Sequence, residues 1–515
     1  MPPGKSGAAR WTNSTAPGQP GIVGGPRYGA PVIANPPVGP AAEAARVVDA
    51  VLRDLRVGDH RGVVVDSPPG AGKSTLVVRA AGELAAAGAP LMIVAQTNEQ
   101  VDDLIERLGE RSPAVRVGRL SAVDYEPSDR VRDHPGCRVG AKVADLGSPA
   151  VTIGTAAKWA TITEGTWAWA IVDEAYQMRS DALLRVAPRF ERALFVGDPG
   201  QLDPFSTVEV DRWTGLSWDP MQSALAVLLR HNPDLPVHRL PVSWRLPHSA
   251  ASVVAEAFYP FTGFRSGTGP GDRRLTFAAP TAAAPLGKTL GGTHGRTLAG
   301  TLGMTPGGTH GKTLDETLGG ALGKTHDKTL WETQALDRVL DEAAATGWAL
   351  HELAPRFTIR TDAEAAAACA ALAGRALSRS GVTYSEAGEQ PLTPARIAIG
   401  AAHRDQAAAI RAQLPPEAAG VTVDTANRLQ GREYDLTIVL HPLSGRRDAT
   451  AFHLESGRLC VLTSRHRHAC VVVARAGIAE LLDAHPSTEP VHLNVPVKFP
   501  DGWEANQAIL AHLHR

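Results

Sequence analysis

The sequence predicts an α/β protein built on parallel sheets with helices packed over them, and three short stretches carry that prediction. Val63, Val64 and Val65 make a buried strand that runs into the glycine-rich stretch DSPPGAGKST, residues 66–75, and then into a helical run from Leu76 to Leu84. Trp169 to Val172 make a second apolar strand, ending in Asp173-Glu174. Ala193 to Val196 make a third, ending in Gly197-Asp198-Pro199-Gly200-Gln201. In a doubly wound sheet, acidic and polar residues at the carboxyl ends of buried strands line the ligand crevice. Ahead of the first strand, Ala44, Val47, Val48, Val51, Leu52 and Leu55 recur at helical spacing and predict a covering helix.

Strand, glycine-rich loop and helix in this order is the context of a phosphate-binding loop. Pro69, Gly70, Ala71, Gly72, Lys73, Ser74 and Thr75 form the candidate nucleotide site. Gly70 and Gly72 let backbone N–H groups approach a polyphosphate, and the helix that follows aims its positive end at the same charge. Lys73 is expected to reach the β- and γ-phosphates of ATP, and Ser74 to hold Mg²⁺. Ser67 stands where such loops usually begin with Gly. Asp173 is expected to act through Mg²⁺, and Glu174 to orient and deprotonate the attacking water. Gln201, a neutral amide, can hydrogen-bond a γ-phosphate oxygen and so sense whether it is still there.

With 515 residues, the length alone predicts three or four domains. Lys plus Arg number 52 and Asp plus Glu 53, so a uniformly basic nucleic-acid coat is excluded while a local basic strip is not. The 51 Gly and 39 Pro are concentrated in two places. Residues 1–42 are rich in Pro, Gly and Ala, hold Lys5, Arg10 and Arg27 and no acid, and read as a disordered arm. Residues 287–334 repeat a tetrapeptide of the type Gly-Lys-Thr-Leu, whose glycines argue against a helix and for a mobile insertion. No stretch has the ~20 apolar residues of a membrane span, and no secretory signal is visible, so a soluble cytoplasmic protein is expected. Four scattered cysteines without a close pair suit a reducing compartment. His466, His468 and Cys470 alternate near Cys460 and raise a zinc reading, but zinc sites usually bring close ligand pairs from two places in the chain.

With VVVDSPPGAGKST, AIVDEAYQ and VGDPGQLDP in this order, the chain resembles superfamily 1 helicases with a DEAxQ box, in particular the branch of the nonsense-mediated decay RNA helicase and its DNA-acting relatives. IVAQTNEQVDDL, residues 93–104, is similar to motif Ia, whose Thr97 and Asn98 the resemblance places on the nucleic-acid backbone; Thr155 resembles the next such contact. Pro241-Val242-Ser243-Trp244-Arg245 resembles motif IV, with Arg245 as an arginine finger. VTVDTANRLQGREYDLTIVL, residues 421–440, is similar to motif V. There Thr425 would touch a phosphate of the strand, while Gln430, Gly431 and Glu433 would couple that grip to the nucleotide. Arg458 to Arg467 resembles motif VI, with Arg465 as the second finger, and this resemblance accounts for the histidine and cysteine cluster without a metal.

The resemblance implies two tandem RecA-like P-loop domains, residues 43–239 and 240–475, the second carrying the 287–334 insertion and followed by an extension over 476–515. It implies an ATP hydrolase that moves on single-stranded or tailed duplex DNA or RNA, 5′ to 3′, and unwinds it. The early Gln that reads adenine in the family has no counterpart here: the only Gln before residue 96 is Gln19. A second reading stays open, an ATPase switch that remodels a protein partner through the arm or the insertion. A small-molecule kinase would leave motifs V and VI idle.

Overall fold

The computed structural model describes residues 39–204, 211–213, 216, 219–280, 331–484 and 501–515. The predicted arm up to residue 38 and the repeat up to residue 330 lie outside the described residues. At both borders helix extends into stretches expected to lack it. One helix begins at Gly39, and another covers 331–346, including the last repeat unit Trp331 to Gln334. The second border has a clear cause, since Val339, Leu340 and Ala343 fall at helical spacing and are buried in the core that follows.

The first sheet has eight parallel strands: β1 (Gly62–Asp66), β2 (Leu91–Ala95), β3 (Val117–Leu120), β4 (Cys137–Gly140), β5 (Val151–Thr155), β6 (Trp167–Asp173), β7 (Phe190–Gly197) and β8 (Val237–Arg239). Their spatial order is 4-3-5-2-6-7-1-8. Both faces are covered, so β1 reads as an unbroken apolar run in which Val63 and Val65 enter one core and Val64 the other. This order decides the site. β6, β7 and β1 are neighbours, with Asp173 opposite Val196 and Asp66 opposite Gly197, so the three predicted loops leave the sheet side by side.

Two short strands follow, β9 (Val242–Ser243) and β10 (Arg265–Ser266), paired in parallel. A small antiparallel sheet joins β11 (Arg274–Thr276), β13 (Val382–Ser385) and β14 (Gly388–Pro391). The second large sheet is again parallel and comprises β12 (Trp348–Leu353), β15 (Ile397–Ala401), β16 (Thr422–Thr425), β17 (Tyr434–Leu440) and β18 (His466–Arg475), in the order 12-18-17-15-16. Ile399, Ile438 and Val471 fill one face, and Ala398, Val439 and Val472 the other. The helix Gly502–Leu513 completes that second core by setting Ala505 and Ile509 among Leu246, Ala250 and Val254 on one side and Leu459, Cys460 and Leu462 on the other. The architecture is thus two RecA-like parallel sheets in tandem. No described helix is long and apolar enough to cross a membrane.

The residues of the zinc reading serve packing. His466 is buried edge-on to the Trp348 ring at 5.0 Å, and burial pushes its pKa down to about 3, keeping it neutral. His468 Nδ1 lies 2.9 Å from Asp435, and its other ring nitrogen lies 3.1 Å from the Tyr384 carbonyl. Burial pushes the Cys470 thiol up to about 12.

Candidate nucleotide site

The loop after β1 turns on two glycines in the left-handed region, Gly70 at φ +72° and Gly72 at φ +91°. Gly72 also caps the helix Lys73–Ala86, and no side chain bonds to that helix start, which leaves its dipole facing the cleft. Gly70 is needed twice over. Its φ suits Gly, and a Cβ there would stand 2.2 Å from the Arg245 Cβ, so only glycine lets the Arg245 backbone close onto the loop. That approach is bonded: Trp244 N donates to the Gly70 carbonyl at 2.8 Å, and Ser243 Oγ donates to the Pro69 carbonyl at 2.6 Å. Arg273 donates in turn to the Trp244 carbonyl at 2.7 Å and to that of Arg245.

Lys73 Nζ lies 2.8 Å from Asp173 Oδ1 and 2.5 Å from Glu174 Oε1. Burial alone would lower its pKa, but the two carboxylates outweigh burial and hold the ammonium charged well above its usual range. Asp173 and Glu174 are both buried. Glu174 sits at φ +53°, a strained setting for a residue with a Cβ, and its backbone N–H donates to Asp173 Oδ1 at 3.0 Å. Gln177 Nε2 donates to Glu174 Oε2 at 3.0 Å, fixing the carboxylate from the side opposite Lys73. Ser74, half-buried at the helix start, and Asp173 offer hard oxygen donors, which suit Mg²⁺.

Asp198 anchors the third loop. Its carboxylate accepts from Tyr259 Oη at 2.5 Å, from Gly200 N at 3.0 Å and from Gln201 Nε2. Burial raises its pKa to about 6 from 3.8, against these hydrogen bonds and with help from Glu174. A carboxyl raised in the folded state contributes fully to stability below its ordinary value, and that contribution is lost as pH rises through about 6. The denaturation midpoint of the wild type should therefore fall more steeply than that of Asp198→Asn between about pH 4 and pH 6.5. Equal slopes would show that the carboxyl ionises at its ordinary value.

The second sheet closes the cleft with the amino ends of its strands. Tyr434 lies opposite His466, so the turns just before β17 and β18 are adjacent and bring Gln430, Gly431, Glu433 and Arg465 together. Gln430 Nε2 donates to Gln201 Oε1 at 2.7 Å, a direct link between the two sheets. Glu433 pairs with Arg245 Nε at 3.0 Å. Burial pushes its pKa up, but Arg245 first, then Arg467 and Arg465, keep its carboxyl below the usual range. Arg465 is fully buried, donating from Nε to the Val461 carbonyl at 3.1 Å and from Nη2 to Ser464 Oγ at 2.9 Å. Burial and the nearby Arg245 lower its pKa to about 10. Two cations thus converge with no carboxylate bonded to Arg465, an arrangement that an anionic ligand would relieve.

Thr97, Asn98 and Thr155 lie at the carboxyl edge of the first sheet, where Glu99 meets Arg432 of the second lobe at 2.8 Å, and Thr425 lies at the carboxyl edge of the second. Thr155 ends β5 opposite Ala95 of β2, with Thr97 two residues further on, while Thr425 ends β16 opposite Ala401. Thr97 and Thr155 cap helices by accepting from Gln100 N and Lys158 N, each at 3.2 Å, which leaves their own hydroxyl protons to donate outward. Asn98 Oδ1 accepts from the buried Arg119 Nη2 at 3.2 Å. Gln177, Asp198, Tyr259 and Trp244 join the site without having been assigned a role from the sequence. Of these only Gln177 had a spacing cue, three residues after Glu174.

Fold and site together define a P-loop nucleotide-binding protein with two RecA-like sheets. Residues 49–214 match a family profile described as an AAA domain. No curated protein matches the sequence. Among solved structures the chain is similar to PRRSV helicase at 12% identity and a TM-score of 0.37, over 84% of this chain and 54% of that one. It is similar to Arterivirus nonstructural protein 10 (helicase) at 13% identity, with the same TM-score and 84% and 61% coverage. The DNA complex of that protein matches at 14%, again at 0.37, over 84% and 62%. The chain spans less than two thirds of the length of each of these helicases.

Proposed function

We propose that the protein is an ATP-dependent helicase or translocase of superfamily 1 that couples hydrolysis to movement on single-stranded nucleic acid, 5′ to 3′ in keeping with its DEAxQ-box motifs. The observation that carries this reading is the Gln201–Gln430 hydrogen bond of 2.7 Å, because it ties the residue placed to sense the γ-phosphate to the motif that ends β16 at Thr425. Lys73 exchanges its carboxylate partners for phosphate oxygens, and Glu174, steadied by Gln177, takes the proton of the attacking water. Ser74 and Asp173 would hold Mg²⁺, which neutralises phosphate charge when bound. Arg245 already stands beside the phosphate loop and Arg465 joins it at the developing charge as the lobes close, so nucleotide state sets the cleft, and the cleft sets the spacing between Thr97 with Thr155 and Thr425.

Trp244 supplies the base platform that the absent early Gln leaves open. Its ring is 40% exposed beside Gly72. Stacking there is indifferent to hydrogen-bonding pattern, so Trp244→Ala should raise KM several-fold for ATP and GTP alike, with little change in kcat. A loss confined to ATP would count against the platform.

The deciding experiment measures ATP hydrolysis with and without single-stranded DNA and RNA, then unwinding of tailed duplexes of each polarity. Strong stimulation that disappears in Lys73→Ala is expected. Equal rates with and without strands would overturn the helicase reading and favour a protein-directed switch.

A further inference from the structure

The carboxyl edge of the second large sheet carries a basic and aromatic tract that joins motifs V and VI, through Asn427 and Arg458, to residues outside every motif. The loop after β12 exposes Phe357 by 64% and Ile359 by 89%. One face of the Phe357 ring is covered by the Arg447 guanidinium at 4.8 Å, and the ring's exposure leaves the other side open. Arg446 Nη1 donates to the Ile359 carbonyl at 3.0 Å, and Thr358 N donates to the Gly445 carbonyl at 2.8 Å, so the loops after β12 and β17 are locked together. Beside them His403, at the end of β15, stacks on Phe452 at 4.7 Å, and Arg458 covers Phe452 at 3.7 Å. Arg458 Nη1 reaches Asn427 Oδ1 at 3.5 Å, two residues from Thr425. The tract is therefore continuous from Phe357 to the predicted phosphate contact.

Its charge is one-sided. Arg404, Arg446 and Arg447 have no carboxylate partner among the described residues, whereas of the exposed acids nearby Asp405 faces Arg360 and Glu364 faces Arg356 and Arg475, with Asp448 beside Arg447 in sequence. Arg446 and Arg458 also help hold the half-buried His403 and the buried His453 imidazoles below their ordinary range, after burial itself, a sign of net positive potential at this edge. Exposed Arg404 and Arg447 and half-buried Arg446, set beside a half-open aromatic ring, match a polyanion with unstacked bases and suit neither a lipid surface nor an apolar helix.

We propose that a single strand of nucleic acid runs from Thr425 across this edge, with Arg446 and Arg447 on its phosphates and the open face of Phe357 under an unstacked base. The proposal rests on the single-strand reading above and extends it beyond the residues the motifs name.

The test is anisotropy of labelled oligo-dT, and of an abasic strand of the same length, titrated with the full chain over a range of salt. The double variant Arg446→Gln/Arg447→Gln should flatten the salt slope by about 1.4, at roughly 0.7 per phosphate on single strands. Phe357→Ala should weaken oligo-dT about tenfold and leave the abasic strand unchanged. Strand-free ATP hydrolysis should be unaltered in both variants, since neither touches the nucleotide cleft. If the wild type binds strands and both variants bind as it does, this path is wrong while the helicase reading stands. If the wild type binds no strand at all, the helicase reading falls first. Should the double variant fold poorly, Phe357→Ala, an exposed single ring, still decides the question.

Discussion

Glu174→Gln should lower ATP turnover about a thousandfold while nucleotide affinity stays near that of the wild type. The side chain is buried, its carboxylate lies between Lys73 and Gln177, and a Gln keeps an oxygen for Lys73 while losing the ability to take a proton. Binding is separable because Gly70, Gly72 and the start of helix Lys73–Ala86 are untouched. Rapid-quench turnover alongside equilibrium binding of a labelled nucleotide checks both halves. Turnover within tenfold of the wild type would remove Glu174 from the role of base. The left-handed φ of +53° supports that role, since strain at a residue with a Cβ persists where the surroundings fix the geometry.

Arg465→Ala should cost about a thousandfold or more in turnover, the usual range for a guanidinium that meets transferring phosphate. Its effect on folding should be small by comparison. The guanidinium is buried, held by a carbonyl and a hydroxyl, and repelled by Arg245, so the apo fold loses an unfavourable charge together with the packing of the side chain. The diagnostic measurement is the melting temperature with and without a non-hydrolysable ATP analogue. The wild type should gain more from the analogue than the variant does, because only the wild type offers a second arginine, beside Arg245 and Lys73, to the γ-phosphate. Equal gains would show that Arg465 stays turned inward in the loaded state and serves structure alone.

What could be read from residues was the chemistry that demands particular types at fixed spacing. A loop that approaches phosphate needs Gly70, Gly72 and Lys73 in order, and buried strands must end in Asp173-Glu174 and near Gln201 if sheet order is to bring them together. The structure supplies that order, with β6, β7 and β1 adjacent. Contacts that depend on tertiary approach were not legible. Nothing local marks Tyr259 as the partner of Asp198, or Ser243 as a ligand of the Pro69 carbonyl, because in both pairs the residues are far apart in sequence. The helix over 331–346 was partly hidden for a different reason. Its first residues continue the Thr-bearing repeat in composition, and only the buried Val339, Leu340 and Ala343 further on make the segment helical.

The helix Gly502–Leu513 sets a timetable for synthesis. Ile509 shares one core with Leu246, Ala250 and Val254, from residues made much earlier, and with Leu459 and Leu462. At about 5–20 residues per second, the roughly 260 residues between Leu246 and Ile509 occupy the ribosome for tens of seconds. The first lobe can fold during that interval, because its eight strands are complete once Arg239 has emerged. The second lobe cannot. Its half-built core, including the exposed apolar face of helix His248–Phe258, must wait through the whole insertion. On the nascent chain that face is the natural place for a chaperone to hold the protein, and a stop codon before Ile509 would leave it open for good.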